Sequence, residues 1–164
     1  MDTDSVIFRY KEGEDKPETG DYLGQLADEI SKDYGPRAKC KKFVSLGPKV
    51  YALEIWPENA TEPIVPIKLK GITLTEKVLD IVTFQSMLNL ANEYLENLGD
   101  SEECSNLSVP QMQIRPTKLQ TIETKTFDKI VRAMSEKRKI IHDGEGYDTL
   151  PYGYCDKETT VKRF

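Results

Sequence analysis

The chain has 164 residues, a mass of 18.7 kDa, 38% apolar and 31% charged residues, and a net charge of −5. This length suffices for a domain with a genuine core, and the composition excludes collagen-like and low-complexity architectures. No stretch approaches the roughly 18 consecutive apolar residues of a membrane helix, and the acidic start does not resemble a signal peptide, so we expect an intracellular, non-secreted protein without a membrane partner.

The first third of the chain predicts a strand, a polar loop and a helix. Residues 5–10 are rich in β-branched and aromatic side chains, which favour a strand. Apolar residues then recur at helical spacing over residues 22–34. Asp21 can cap the start of this helix, and Gly35 followed by Pro36 is typical of its end.

The middle of the chain predicts an antiparallel sheet. Residues 42–46 and 50–56 have the composition of two strands, joined across a turn at Gly47. Residues 64–72 form a further extended segment. Because proline cannot donate a ladder hydrogen bond, Pro66 indicates an edge strand or a bulge there.

The rest of the chain predicts helices followed by short strands. Residues 75–98 have a helical apolar period, and Thr83 could cap a second helix after a break. An acidic loop follows, and residues 143–154 are rich in turn formers. Between them lie three extended segments, around residues 112–114, 119–127 and 139–141. The whole pattern predicts an α+β fold, with an antiparallel sheet that carries helices on one face.

The charge is distributed unevenly. Residues 32–51 carry six bases against one acid, and residues 109–142 carry eight bases against three acids. Five acids and no base lie between residues 93 and 103. Runs of charge are usually solvated faces, but clustered lysines and arginines also bind phosphates, so both interpretations stay open for the basic stretches.

Two carboxylates, Asp2 and Asp4, lie one residue apart just before the predicted strand. On an extended chain they point the same way, and at a tight turn both can reach one hard cation such as Mg²⁺. An EF-hand calcium loop is excluded, because Ile7 and Gly13 occupy the places of its glycine and its final acid. The alternative is a solvated acidic terminus.

Residues 2–5, Asp-Thr-Asp-Ser, resemble the palm motif of family B DNA polymerases. Residues 49–51, Lys-Val-Tyr, are similar to the Lys-x-Tyr motif that holds the primer terminus in that family. Residues 43–52 resemble the version found in protein-primed polymerases of Polinton or Maverick elements and related viruses. Three further segments resemble the same group: residues 20–24, 68–73 and 149–154. The resemblance covers roughly residues 1–154.

The resemblance implies DNA-directed DNA synthesis by two-metal nucleotidyl transfer. Asp4 would be a direct Mg²⁺ ligand and Asp2 would support or complete the coordination, so both are the expected catalytic residues. The expected partners are a DNA primer–template, a dNTP, a terminal priming protein and the remainder of the polymerase chain.

The resemblance also implies a set of DNA contacts. Lys49 and Tyr51 would contact the primer strand near its end, the lysine by charge and the tyrosine by a hydrogen bond that leaves base identity unread. The lysines expected to neutralise phosphates around the same strands are Lys41, Lys42, Lys68 and Lys70.

In the family's domain order, residues 1–74 would be the C-terminal part of the palm, an antiparallel sheet with packed helices. Residues 75–154 would be a mixed α/β thumb, and residues 155–164 a flexible tail. A second palm Asp motif would precede Met1, so we expect a fragment that is inactive alone, because half of the carboxylate set cannot fix two metal ions. The alternatives are a non-catalytic DNA- or protein-binding remnant of a mobile element, and an acidic protein-interaction domain.

Overall fold

The computed structural model describes residues 6–11, 13–14, 16–98, 100, 103–118, 120–134, 138–142, 144 and 146–151. These residues form helices and antiparallel strands, which confirms the predicted α+β class. The strands pair as a three-stranded sheet in the order β1-β2-β3 and as two hairpins, β4-β5 and β6-β7. The elements in chain order are α1 (Glu29–Tyr34), β1 (Lys39–Gly47), β2 (Val50–Trp56), β3 (Ile67–Leu69), α2 (Glu76–Ile81), α3 (Phe84–Glu96), β4 (Leu107–Pro116), β5 (Ile122–Val131), β6 (Arg138–His142) and β7 (Tyr147–Pro151).

The β1-β2 hairpin confirms the two strands predicted in the middle of the chain, although β1 begins earlier than predicted. Gly47 has a φ of +141° and Lys49 a φ of +62°, so the chain reverses through a tight turn between them. A Cβ on Gly47 would lie 2.5 Å from the carbonyl oxygen of Met134, whose N–H donates to the Leu46 carbonyl at 2.8 Å. Only glycine therefore permits this close approach of two backbones.

The third strand, β3, lies at the edge of the sheet, as Pro66 indicated. It pairs with β2 over three residues, and Pro66 lies just outside it. Further back, Ile64 and Ile55 exchange backbone hydrogen bonds of 2.8 and 2.9 Å. The extended segment is thus interrupted where proline cannot donate.

The helix pair is also confirmed, including its break at Thr83. The Thr83 hydroxyl accepts from the Ser86 N–H at 3.1 Å, and the Ser86 hydroxyl accepts from the Thr83 N–H at 2.9 Å. This reciprocal capping box starts α3. Within the part of the chain that the structure describes, no helix is long and apolar enough to span a membrane.

Near the amino terminus, two local predictions are wrong. The helix begins at Glu29 instead of after Asp21, because Gly24 adopts a φ of +94° that a helix cannot contain, and Asp28 supplies the cap. Residues 6–10 form no strand, and their apolar side chains are exposed. β-propensity alone cannot make a strand, because a strand also needs a neighbour to pair its backbone. The end of the helix at Gly35 is confirmed.

The structure contains one strand, β7, in a segment whose composition predicted only turns. β7 pairs with β6 where residues 143–154 were predicted to form turns. The acidic loop is confirmed in its described residues, although β4 already begins at Leu107.

The core lies where α2 and α3 pack against the sheet and the base of β4-β5. Alternation along β1 buries Val44 and Leu46 while Phe43 and Ser45 face outward. The buried cluster comprises Val44, Leu46, Ala52, Ile67, Leu69, Val78, Val82, Met87, Leu90, Tyr94, Val109, Val131, Ala133 and Ile140. Residues from both sides of the predicted palm–thumb boundary share this cluster; the division itself stays a prediction.

Replacing Met87 with alanine should lower the free energy of unfolding by about 2–5 kcal/mol, because Met87 is fully buried and its truncation leaves a cavity. The matched control is Met112→Ala, since Met112 is 73% exposed on β4 and should cost no more than about 0.5 kcal/mol. Urea denaturation measures both, and equal losses would contradict the assigned core.

Candidate nucleic-acid interface

An open depression of about 300 Å³ is lined by Lys49, Tyr51, Lys68, Leu69 and Lys70. We call it the lysine depression. It contains four of the six residues predicted to bind DNA: Lys49, Tyr51, Lys68 and Lys70. In the sequence they form two groups, and the fold brings the groups together.

The register between β2 and β3 creates the lysine depression. Tyr51 lies opposite Lys68, and Val50 lies opposite Leu69. Because the strands are antiparallel, Lys49 just before Val50 and Lys70 just after Leu69 come to the same end of the sheet. A slip of one residue would turn Lys68 into the core and expose its apolar neighbours.

The local backbone exposes the three lysines. Lys49 lies in the β1-β2 turn with a left-handed φ. After β3 the chain turns through Lys70 and Gly71, with a hydrogen bond of 3.3 Å from the Ile72 N–H to the Leu69 carbonyl and a φ of +72° at Gly71. Lys68, within β3, faces away from the buried Leu69. All three lysines are exposed.

Tyr51 is the aromatic residue of the lysine depression and is held from two sides. Its ring centroid lies 6.1 Å from that of Phe43, in a tilted arrangement. On its other flank it pairs across the strands with Lys68. Sequence reasoning did not assign Phe43 a role at the site, although period-2 alternation places it on the same face as Tyr51.

The ion pairs of the described residues leave these lysines out. They join Arg37 to Glu58, Lys42 to Glu54, and Arg115 to Glu123. Lys49, Lys68 and Lys70 thus have no acidic partner among the described residues. Exposed lysines of this kind are the form in which positive charge is available to an anionic ligand.

Lys41 and Lys42, which the resemblance also assigned to DNA, do not line the lysine depression. The Lys42 ammonium donates to Glu54 at 2.8 Å, and the Lys41 ammonium lies 4.1 Å from the centre of the Trp56 ring. The Trp56 indole N–H donates to the same Glu54 carboxylate at 3.0 Å. These contacts engage both lysines with acidic or aromatic neighbours, which the sequence pattern did not reveal.

The second basic stretch reaches the loop that follows β3. The Lys129 ammonium donates to the Gly71 carbonyl, and the Gln111 side-chain amide pairs with the backbone of Thr73. Lys49 of the first basic stretch shares the lysine depression with Lys70, and Lys129 of the second contacts Gly71, so residues of both stretches lie near this loop. Such long-range proximity leaves no local signal in the sequence.

The predicted metal ligands Asp2 and Asp4 lie outside the described residues. Among the residues that are described, no group of three or more His, Cys, Asp or Glu side chains is placed to hold a metal ion. The expectation of Mg²⁺ therefore rests on the amino-terminal pair and the resemblance.

His142 is engaged locally, with its Nδ1 accepting from the Gly144 N–H at 3.2 Å and its ring edge-on to Tyr147.

Comparison of this chain with protein-family models, with curated proteins and with solved structures gives no match.

The Lys42–Glu54 pair should titrate at an unusually low pH. The hydrogen bond from Lys42, followed by that from Trp56, lowers the pKa of Glu54 below its ordinary value. The pair's stabilising contribution should therefore be fully present above the ordinary pKa of a glutamate and disappear as the pH falls through the lowered pKa of Glu54. Carboxyl-carbon NMR shifts recorded against pH measure this midpoint.

In a Lys42→Met variant the pKa of Glu54 should rise toward its ordinary value, whereas Lys39→Met on the same strand should leave it low. A midpoint that does not respond to Lys42→Met would show that the pair does not form in solution.

Proposed function

We propose that this chain supplies the primer-terminus and duplex-binding surface of a DNA-directed DNA polymerase of the protein-primed family B type. The observation that carries the proposal is the lysine depression, in which Lys49 and Tyr51 of the polymerase-like Lys-x-Tyr motif lie beside Lys68 and Lys70. Residues 43–52 and 68–73, which contain these side chains, also contributed to the sequence resemblance. The pairing of β2 with β3 brings them together.

The chemistry of the lysine depression suits a sugar-phosphate backbone. Three exposed lysine ammonium groups can neutralise phosphates, and a tyrosine hydroxyl can donate a hydrogen bond to a sugar or phosphate oxygen. None of these groups selects a base. Contacts of this kind position a duplex independently of its sequence, as a polymerase requires at the primer terminus.

The net charge of −5 does not oppose such a surface. Screening limits the reach of exposed charges to about 8–10 Å at physiological ionic strength, so a ligand in the lysine depression responds chiefly to nearby lysines. Acidic side chains beyond that reach lower the overall attraction but do not neutralise this site.

The proposed catalytic role belongs to Asp2 and Asp4, as carboxylates that would bind Mg²⁺. Magnesium would supply activation of the primer hydroxyl and neutralisation of the leaving pyrophosphate. The residues of the lysine depression would hold and orient the primer strand. A dNTP and a terminal priming protein are the further partners that the family resemblance proposes.

The test is a salt titration of binding to a fluorescent primer–template duplex. Lys49→Ala and Lys68→Ala should each weaken binding about five- to tenfold at 0.1 M salt, and each should flatten the slope of log affinity against log salt by about 0.9, because one phosphate contact is lost. Lys77→Ala on α2 removes the same charge outside the lysine depression and should have little effect.

The losses should be similar for duplexes of different sequence. A sequence-selective loss would contradict contacts to the backbone, and wild-type binding that is absent or independent of salt would favour the acidic protein-interaction domain instead.

A further inference from the structure

Gln111 is the buried polar side chain among the described residues, with 6% of its surface exposed. It lies on β4, at the point where the strand leaves the core. Its side-chain oxygen accepts from the Thr73 N–H at 2.8 Å, and its side-chain nitrogen donates to the Thr73 carbonyl at 3.1 Å and to the Pro110 carbonyl at 2.9 Å. Its hydrogen-bonding capacity is therefore used on backbone groups.

The side-chain amide of Gln111 pairs with the backbone of Thr73 as a residue on a neighbouring strand would. An amide that pairs with both the N–H and the C=O of one residue fixes that residue in position and orientation, as a neighbouring strand would. An apolar residue at position 111 would fill the space but would not specify where the loop lies. A buried polar group whose hydrogen bonds are satisfied therefore fixes the position of its partner, here Thr73, more than it adds to the free energy of unfolding.

Residues 70–73 connect this amide pair to the lysine depression. Lys70, which lines the depression, lies three residues before Thr73, and the turn between them is closed by the hydrogen bond from Ile72 to Leu69. Lys129 on β5 holds the Gly71 carbonyl from the same hairpin. The β4-β5 hairpin therefore holds the chain at Gly71 and at Thr73, on the carboxyl-terminal side of Lys70.

We infer that Gln111 is a positioning residue for the lysine depression: by fixing Thr73 it holds Lys70 where a phosphate of the bound strand can reach it. This inference rests on the proposed function. It adds a residue that contributes no charge and touches no ligand, yet sets how many phosphate contacts the surface makes.

The test uses Gln111→Met, which preserves volume and net charge but removes the amide. Binding to the primer–template duplex should weaken about three- to tenfold, and the salt slope should flatten by up to about 0.9 although no charge has been removed. Gln113→Met is the matched control, because Gln113 lies two residues along the same face of β4 and is exposed. It should bind as the wild type does.

A double-mutant cycle separates positioning from general destabilisation. If Gln111 acts through Lys70, Gln111→Met should cost less than about twofold in a Lys70→Ala background, whereas independent effects would add. Amide hydrogen exchange at Thr73 should accelerate in Gln111→Met and not in Gln113→Met. Circular dichroism establishes that each variant is folded. Should Gln111→Met fail to fold, Gln111→Asn, whose amide is one methylene too short to reach Thr73, takes its place throughout.

The outcomes distinguish this inference from the function beneath it. Absence of duplex binding by the wild type would overturn the proposed function and this role with it. Wild-type binding that Gln111→Met leaves unchanged, or weakens equally with and without Lys70, would overturn the role of Gln111 alone.

Discussion

The pairing of β2 with β3 is the constraint on which the candidate interface depends. Three residue pairs place Tyr51 opposite Lys68 and bury Ala52 and Ile67 beneath them. The buried residues fix the register, since a slip by one position would expose them and bury the lysine. The hydrophobic core therefore determines which polar groups meet on the outer surface. The chemistry of the lysine depression is in this sense a consequence of packing on the opposite face of the sheet.

The lysines of the lysine depression have no ion-pair partners among the described residues. Among the described residues Arg37, Lys42 and Arg115 form ion pairs, whereas Lys49, Lys68 and Lys70 have no acidic partner there. Exposed ion pairs add little stability, so the arrangement is better understood as a distribution of available charge than as a source of folding energy. Net charge describes the whole chain, whereas a ligand of molecular size responds to the local pattern.

The β4-β5 hairpin relates two parts of the chain that the sequence separates. Its base contributes Val109 and Val131 to the core, and just above them Gln111 and Lys129 hold the loop after β3. Beyond Gln111 the β4-β5 hairpin no longer packs against the core, and side chains such as Met112 are exposed. The hairpin thus both completes the core and supports one wall of the lysine depression.

Several features followed from the sequence because their causes are local. Alternating apolar residues gave β1 and β2, the threonine cap gave the break before α3, and Pro66 marked the edge strand. Lys49 and Tyr51 were identified as a pair because they lie two residues apart in one motif.

Tertiary structure decided the rest. A strand prediction at residues 6–10 failed because no neighbour among the described residues pairs with it, and Lys42 found Glu54 only through the β1-β2 register. The meeting of Lys49 with Lys70, and of Gln111 with Thr73, depends on contacts between distant segments, whose free energy comes from burying a shared core and not from any local propensity.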